Sequence, residues 1–269
     1  MSAAQADSEA RRATSWPIVL ERELRDLWTG GRALVLCLAF SLLLSAIAYL
    51  VATNTDLNFL EQRESVGLTL QVSVAVGSLL ALLVAGDAIS GERERGTLET
   101  LLLTPISRRQ LVVGKLLAAL SLWLAAFAVT VPYVWRLGRG VGIVVDALAV
   151  GFVVGTLLAV FLASLGVLIS LFSGSNRFTL SLSLFVLLAL FAPSQLPSSA
   201  EKGWAGELLV RINPVTAGEH FIGRIVVNGH SWSEDISWLV APVVAAVLFA
   251  FLAPLAAGRF LQLRGGVEG

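Results

Sequence analysis

The stretch ALAVGFVVGTLLAVFLASLGVLISLFSGSN, residues 147–176, carries no charged side chain. As a helix it rises about 1.5 Å per residue, more than enough to cross the roughly 30 Å of a bilayer's hydrocarbon. Five further uncharged runs, 33–52, 65–86, 116–135, 178–200 and 236–258, have the length or near-length of a span. All are too long for core strands. Lipid offers no hydrogen-bond partner, so each run must satisfy its own backbone and is expected to be helical. A membrane β-barrel would show alternation instead. The composition agrees: of 269 residues 56% are hydrophobic and 14% charged, mean hydropathy is +0.81, and a soluble domain carries about 25% charged residues. Lys and Arg total 19 and Asp and Glu 19, so net charge makes no case for a nucleic-acid partner. Cys37 is the only cysteine, which excludes an intrachain disulfide.

These runs predict an all-α membrane protein with spans at 33–52, 65–90, 111–135, 141–172, 178–193 and 236–258. Six spans put both termini on one side. Thirteen of the 19 basic residues, from Arg11 to Arg264, fall in the segments on that side, so the positive-inside rule makes the N- and C-termini cytoplasmic. Arg136 and Arg139 oppose the trend in the turn after span three. Residues 1–15 are expected to be a flexible cytoplasmic tail. Residues 16–30 follow as an amphipathic helix lying in the headgroup plane, with Trp16, Leu20, Leu24, Leu27 and Trp28 on one face. The basic pair Arg11-Arg12 does not make a signal peptide, because the apolar run starts too far downstream and is too long.

Residues 91–110 form the most informative segment, a cytoplasmic loop between spans two and three: Gly91-Glu92-Arg93-Glu94-Arg95-Gly96-Thr97-Leu98-Glu99-Thr100-Leu101-Leu102-Leu103-Thr104-Pro105-Ile106-Ser107-Arg108-Arg109-Gln110. Thr97 to Thr104 can make about two turns of helix that Pro105 ends. Leu98, Leu101 and Leu102 share one face of it. Two fates are open to that face: packing on the bilayer or the bundle's own cytoplasmic ends, or docking a partner. Ser107 and Gln110 have the spacing of a capping box for span three. Asp87, at the end of span two, is expected to reach water or pair with Arg93, Arg95 or Lys115.

Acidic-Gly-Thr-Leu-Glu, a leucine run, Pro105, Ser107-Arg108-Arg109 and Gly114-Lys115 in this order closely resemble the signature of permease subunits of type-2 ABC transporters. That class includes exporters of drugs, polysaccharides and ions. The resemblance implies a cytoplasmic coupling helix, built here from Gly96, Thr97, Leu98, Glu99, Leu101, Leu102 and Pro105, docked in a cleft of a separate ATP-binding cassette ATPase. Glu92, Glu94 and Glu99 would pair with basic groups on that ATPase, and the 173–177 turn would make a smaller contact. Two ATPase copies would carry the ATP and magnesium, and this chain would hold no cofactor. Two permeases, either two copies of this chain or one with a similar permease, would surround the path in the bacterial cytoplasmic membrane. Gly151-Phe152-Val153-Val154-Gly155 has the small-xxx-small pattern for such a contact or for packing within one subunit.

Between spans five and six, the external segment 194–235 is expected to hold short interfacial or partly re-entrant helices over 204–212 and 215–228. In the resembling family this region forms the outer gate. His220 and His230 are the only histidines and lack the ligand spacing of a metal site. Gly114-Lys115 is not part of a phosphate-binding loop, since residue 109 is Arg and residue 116 Leu. No zinc-helix or nucleophile-elbow motif is present. The expected function is therefore the non-enzymatic permease of an ATP-driven exporter, with membrane lipids around it. The alternative is an ATPase-coupled platform that transmits force to an external protein without moving solute.

Overall fold

The computed structural model describes residues 16–53, 59–104, 106–195 and 203–260. Within them lie eleven α-helices and no strand. The chain starts with α1, Trp16–Thr29, and turns at Gly31, whose φ of 77° is a left-handed conformation that favours glycine. Helix α2, Arg32–Ala52, leads away from this end of the bundle, and α3, Phe59–Glu94, returns to it. There the short α4, Leu98–Leu102, precedes α5, Arg108–Gly138. Helix α6, Val144–Phe172, comes back, and α7, Asn176–Phe191, leaves again, ending in a 3-10 turn at Ala192–Gln195. At the far end come α8, Trp204–Ile212, then α9, Pro214–Ile222, with a π-helical turn at Gly223–Val227. The last two helices are α10, Trp232–Asp235, and, after a 3-10 turn at Ile236–Leu239, α11, Val240–Phe260.

Helices α2, α3, α5, α6, α7 and α11, the last two with their 3-10 extensions, are long and apolar enough to cross a membrane. The chain is a multi-pass membrane protein. Its interior belongs to α3, α5 and α6, which bury about half of their apolar windows, whereas α2, α7 and α11 turn most of theirs outward. Leu38 and Leu42 on α2 and Phe251 on α11 are among the exposed side chains. A shell this apolar is stable against acyl chains rather than water.

Glycines set the close approach of α3 and α6. A Cβ on Gly166 would lie 2.6 Å from the Leu82 carbonyl oxygen, so any larger residue forces the two helices apart. Trp123 of α5 fills the notch left by Gly77 and Gly155 and donates its indole N–H to Thr156 Oγ1 at 3.1 Å. Gly151 meets Leu70 in the same way. The small-xxx-small pattern of 151–155 is therefore used within the subunit, and a contact between permeases through these two glycines is corrected.

Helix α3 is longer than the expected span and takes in Gly91 to Glu94 of the expected loop. Arg93 explains the extension, since its guanidinium donates to the Leu171 and Ser173 carbonyls at the end of α6. Ser90 N–H donates to Ser170 Oγ at 2.7 Å. Both anchors hold the last turn of α3 in helical form. Pro105, the expected helix stop, lies outside the described residues, as do the 1–15 tail and residues 196–202 of the external segment.

At the far end the two expected amphipathic pieces part ways. Helix α8 leaves Trp204, Leu208, Leu209 and Ile212 exposed, as an interfacial helix would. Helix α9 turns back into the bundle, with Val215, Ala217, Phe221 and Ile222 fully buried. Asn213 makes that turn possible. Its Oδ1 accepts from Val215 N–H at 2.9 Å, its Nδ2 donates to the Leu190 carbonyl at 2.7 Å, and Pro214 follows in the first turn.

Candidate functional site

The α4 end of the bundle collects most of the residues that the sequence singles out. Helix α4 starts after Gly96, whose φ of 72° needs glycine, and Thr97 N–H donates to the Glu92 carbonyl across the turn. Its inner face is set by Leu98 and Leu101, 8% and 9% exposed. Leu98 joins the main core, and Leu101 packs with Val19 of α1, Leu111 of α5 and Ile106. Leu102 is half-buried against the core. Of the two fates open to the leucine face, Leu98 and Leu101 take the first, packing on the bundle's own helix ends and keying α4 to α1, α5 and the interior. Burial of two leucines is worth several kcal/mol in total, so the short helix is fixed to its neighbours. Outward go Glu94, Gly96, Thr97, Glu99, Thr100 and Leu103, the last 74% exposed.

Two ion clusters lie beneath α4. Lys115 of α5, 3% exposed, is held between Glu23 of α1 and Glu92 of α3, each carboxylate 2.8 Å from Nζ. A lone buried ammonium would be costly, and two carboxylates offset that cost. Glu92, expected to pair with an ATPase, has its carboxylate turned inward to Lys115. Asp87 of α3 forms the second cluster. Its Oδ2 is 3.2 Å from Arg32 of α2 and from Arg95, and its Oδ1 accepts from Asn176 Nδ2 at 2.7 Å. Of the three partners expected for Asp87, only Arg95 is used, since Arg93 is engaged by the end of α6 and Lys115 by the first cluster. Glu94 is exposed and accepts from Asn176 N–H at 3.1 Å. A cavity of about 500 Å³ between the clusters is lined by Glu23, Arg32, Asp87, Glu92, Arg95 and Lys115, among others.

Five helices therefore meet through these contacts. Helix α4 touches the core through Leu98, and α1 and α5 through Leu101. The Lys115 and Asp87 clusters tie the ends of α1, α2, α3, α5 and α7 to the same frame. Ser107 caps α5 by accepting from Gln110 N–H at 3.3 Å, so the chain re-enters the bundle directly after α4. Val19, which seats against Gly114, and the long-range partners Glu23, Arg32 and Asn176 are absent from the sequence reading. Local spacing carries no signal for partners 55 to 92 positions apart.

Elsewhere, His230 Nδ1 lies 2.9 Å from Asp235, and His220 stacks on Trp238. No group of three or more His, Cys, Asp and Glu suited to a metal ion occurs among the described residues.

A family model described as ABC-2 family transporter protein matches residues 18–204, well over half of the chain and including both ion clusters and α4. The chain belongs to that family. It is also similar to two curated relatives, each called a probable ABC transporter permease protein NosY. The one from Stutzerimonas stutzeri is 35% identical over 98 residues, 36% of either chain. The one from Pseudomonas aeruginosa is 37% identical over 103 residues, 38% of this chain and 37% of the relative. The chain thus aligns with little more than a third of each relative's length. The family resemblance seen in the loop motif is upheld by the match.

Proposed function

We propose that this chain is the permease subunit of an ATP-driven exporter, and that the outward face of α4 docks a separate ATP-binding subunit. Support comes chiefly from one observation: α4 and its flanking residues leave Thr97, Glu99, Thr100 and Leu103 exposed, with Glu94 at the end of α3 beside them, while Leu98 and Leu101 key α4 to the bundle. This arrangement suits a lever, because it has a free face for the motor and a fixed face for the load. Leu103 supplies an apolar anchor, and Glu94 and Glu99 suit a basic cleft on the ATPase. The α4 end is cytoplasmic in this reading, as the basic residues require. Two ATPase copies carry ATP and magnesium. Two permeases surround the path in the bacterial cytoplasmic membrane, pairing through surfaces other than Gly151 and Gly155.

Copurification with the coexpressed ATP-binding subunit tests the proposal. Leu103→Asp and Glu99→Arg are expected to weaken ATPase capture by tenfold or more, about 1.4 kcal/mol each, with the permease still folded. Capture unchanged by both substitutions would remove α4 from the coupling role. Solute uptake into inverted vesicles then separates export from force transmission to an external protein.

A further inference from the structure

At the end of the bundle opposite α4, a cavity of about 820 Å³ lies between α3, the end of α7 and the α9 segment. One wall is apolar. Leu68, Val72 and Ala75 project from one face of α3, and Phe191 of α7 adds to them. Leu68 is exposed, so this wall reaches the perimeter of the bundle. The α9 segment brings Glu219, His220 and Arg224 to the cavity, with Val227 beside them, and Gln71 is the polar residue on the α3 side.

The charges of Glu219 and Arg224 are not equivalent. Arg224 Nε lies 2.7 Å from Oδ1 of the buried Asp235, and Asp235 Oδ2 also meets His230. The positive charge of Arg224 is already balanced. The Glu219 carboxyl has a hydroxyl partner in Ser194, and burial pushes its pKa up from the ordinary 4.5, more strongly than that bond lowers it. No ion pair to Glu219 occurs among the described residues. Gln71 donates to its backbone carbonyl rather than to its side chain.

We infer that this cavity binds an amphiphile with a single cationic headgroup, which pairs with Glu219 while its apolar body lies along Leu68, Val72 and Ala75. The volume falls within the roughly 300–1,000 Å³ of small-molecule sites, and an apolar wall with few convergent polar groups is their usual lining. A desolvated carboxylate gains most from a cation that enters with it, because the partner offsets a burial cost already incurred. An anionic amphiphile meets that same carboxylate as a like charge. As a binding site the cavity stands alone; as a cargo site it rests on the permease reading.

The test uses the full chain in phosphatidylcholine nanodiscs, titrated calorimetrically with decyltrimethylammonium below its micellar range, with empty discs subtracted. Saturable binding of this cation is expected, with far weaker binding of the chain-matched decanoate. Glu219→Gln should weaken the cation about tenfold or more, as loss of a charged partner does. Val72→Trp, which fills the apolar wall and leaves the charge, should weaken it too. Equal affinity for cation and decanoate, or cation binding untouched by Glu219→Gln, would overturn the inference. ATPase capture on the same preparation keeps the two proposals apart. Loss of cation binding with capture intact sinks only the site, and loss of capture with cation binding intact sinks only the coupling.

Discussion

Lys115 shows what a single residue does at the α4 end. Its ammonium holds two carboxylates together, so Lys115→Met leaves the partly buried Glu23 and Glu92 facing each other with no cation between them. That substitution is expected to destabilise the protein by about 3–5 kcal/mol, the usual cost of breaking a buried ion pair from one side. Thermal unfolding in detergent measures it. Glu23→Gln leaves Lys115 one carboxylate and should cost less. Glu219 acts in the opposite sense. Its carboxyl pKa is raised by burial, so the folded state favours the protonated form. The stabilisation is full below the ordinary value near 4.5 and is lost as pH rises through the elevated folded value. Glu219→Gln should therefore flatten the fall in stability between the ordinary value near 4.5 and the raised folded value, read as melting temperature against pH. The sequence marked Asp87 and Lys115 through their place at span ends. It hid Glu23, Arg32 and Asn176, because ion pairs between helices follow from packing rather than spacing. Glu219 went unnoticed for the same reason: its burial comes from the return of α9 into the bundle.

At the scale of elements, the apolar runs were legible because lipid leaves so few alternatives to a helix. Their ends were less so. Helix α3 runs on through Gly91 to Glu94 since Arg93 and Ser90 find partners on α6, contacts that hydropathy does not record. The leucine face of α4 was correctly placed at one helical spacing, but spacing alone cannot tell an inner face from an outer one. In α1, Leu27 is buried as its pattern suggests, whereas Trp16 is exposed and the unmarked Val19 is buried against Gly114. Trp123 of α5 is fully buried in its glycine notch. Trp123→Ala is expected to cost about 3–5 kcal/mol by leaving a cavity. Gly155→Leu, which drives a side chain into the same ring, should prevent stable folding unless Trp123 is reduced at the same time. Monodispersity of the single and double variants in size-exclusion chromatography checks both.

For the whole molecule, the architecture divides labour between the two ends. One end has the short α4 keyed in beside two ion clusters, and the other has α9 turned back into the bundle beside a cavity that Glu219 lines. Helices α3 and α7 connect them, since both contribute to the Asp87 cluster and to the cavity. Fold class and membrane location followed from composition and run length alone, whereas the orientation of α4 and the existence of the cavity needed the assembled bundle. The central claim, that the exposed side of α4 meets an ATP-binding subunit, has a direct test in cysteine crosslinking. Thr100→Cys in a Cys37→Ser background should crosslink to the coexpressed ATP-binding subunit, and Thr53→Cys at the opposite end should not. A crosslink at Thr53→Cys, or none at Thr100→Cys with the ATPase demonstrably bound elsewhere, would contradict the account.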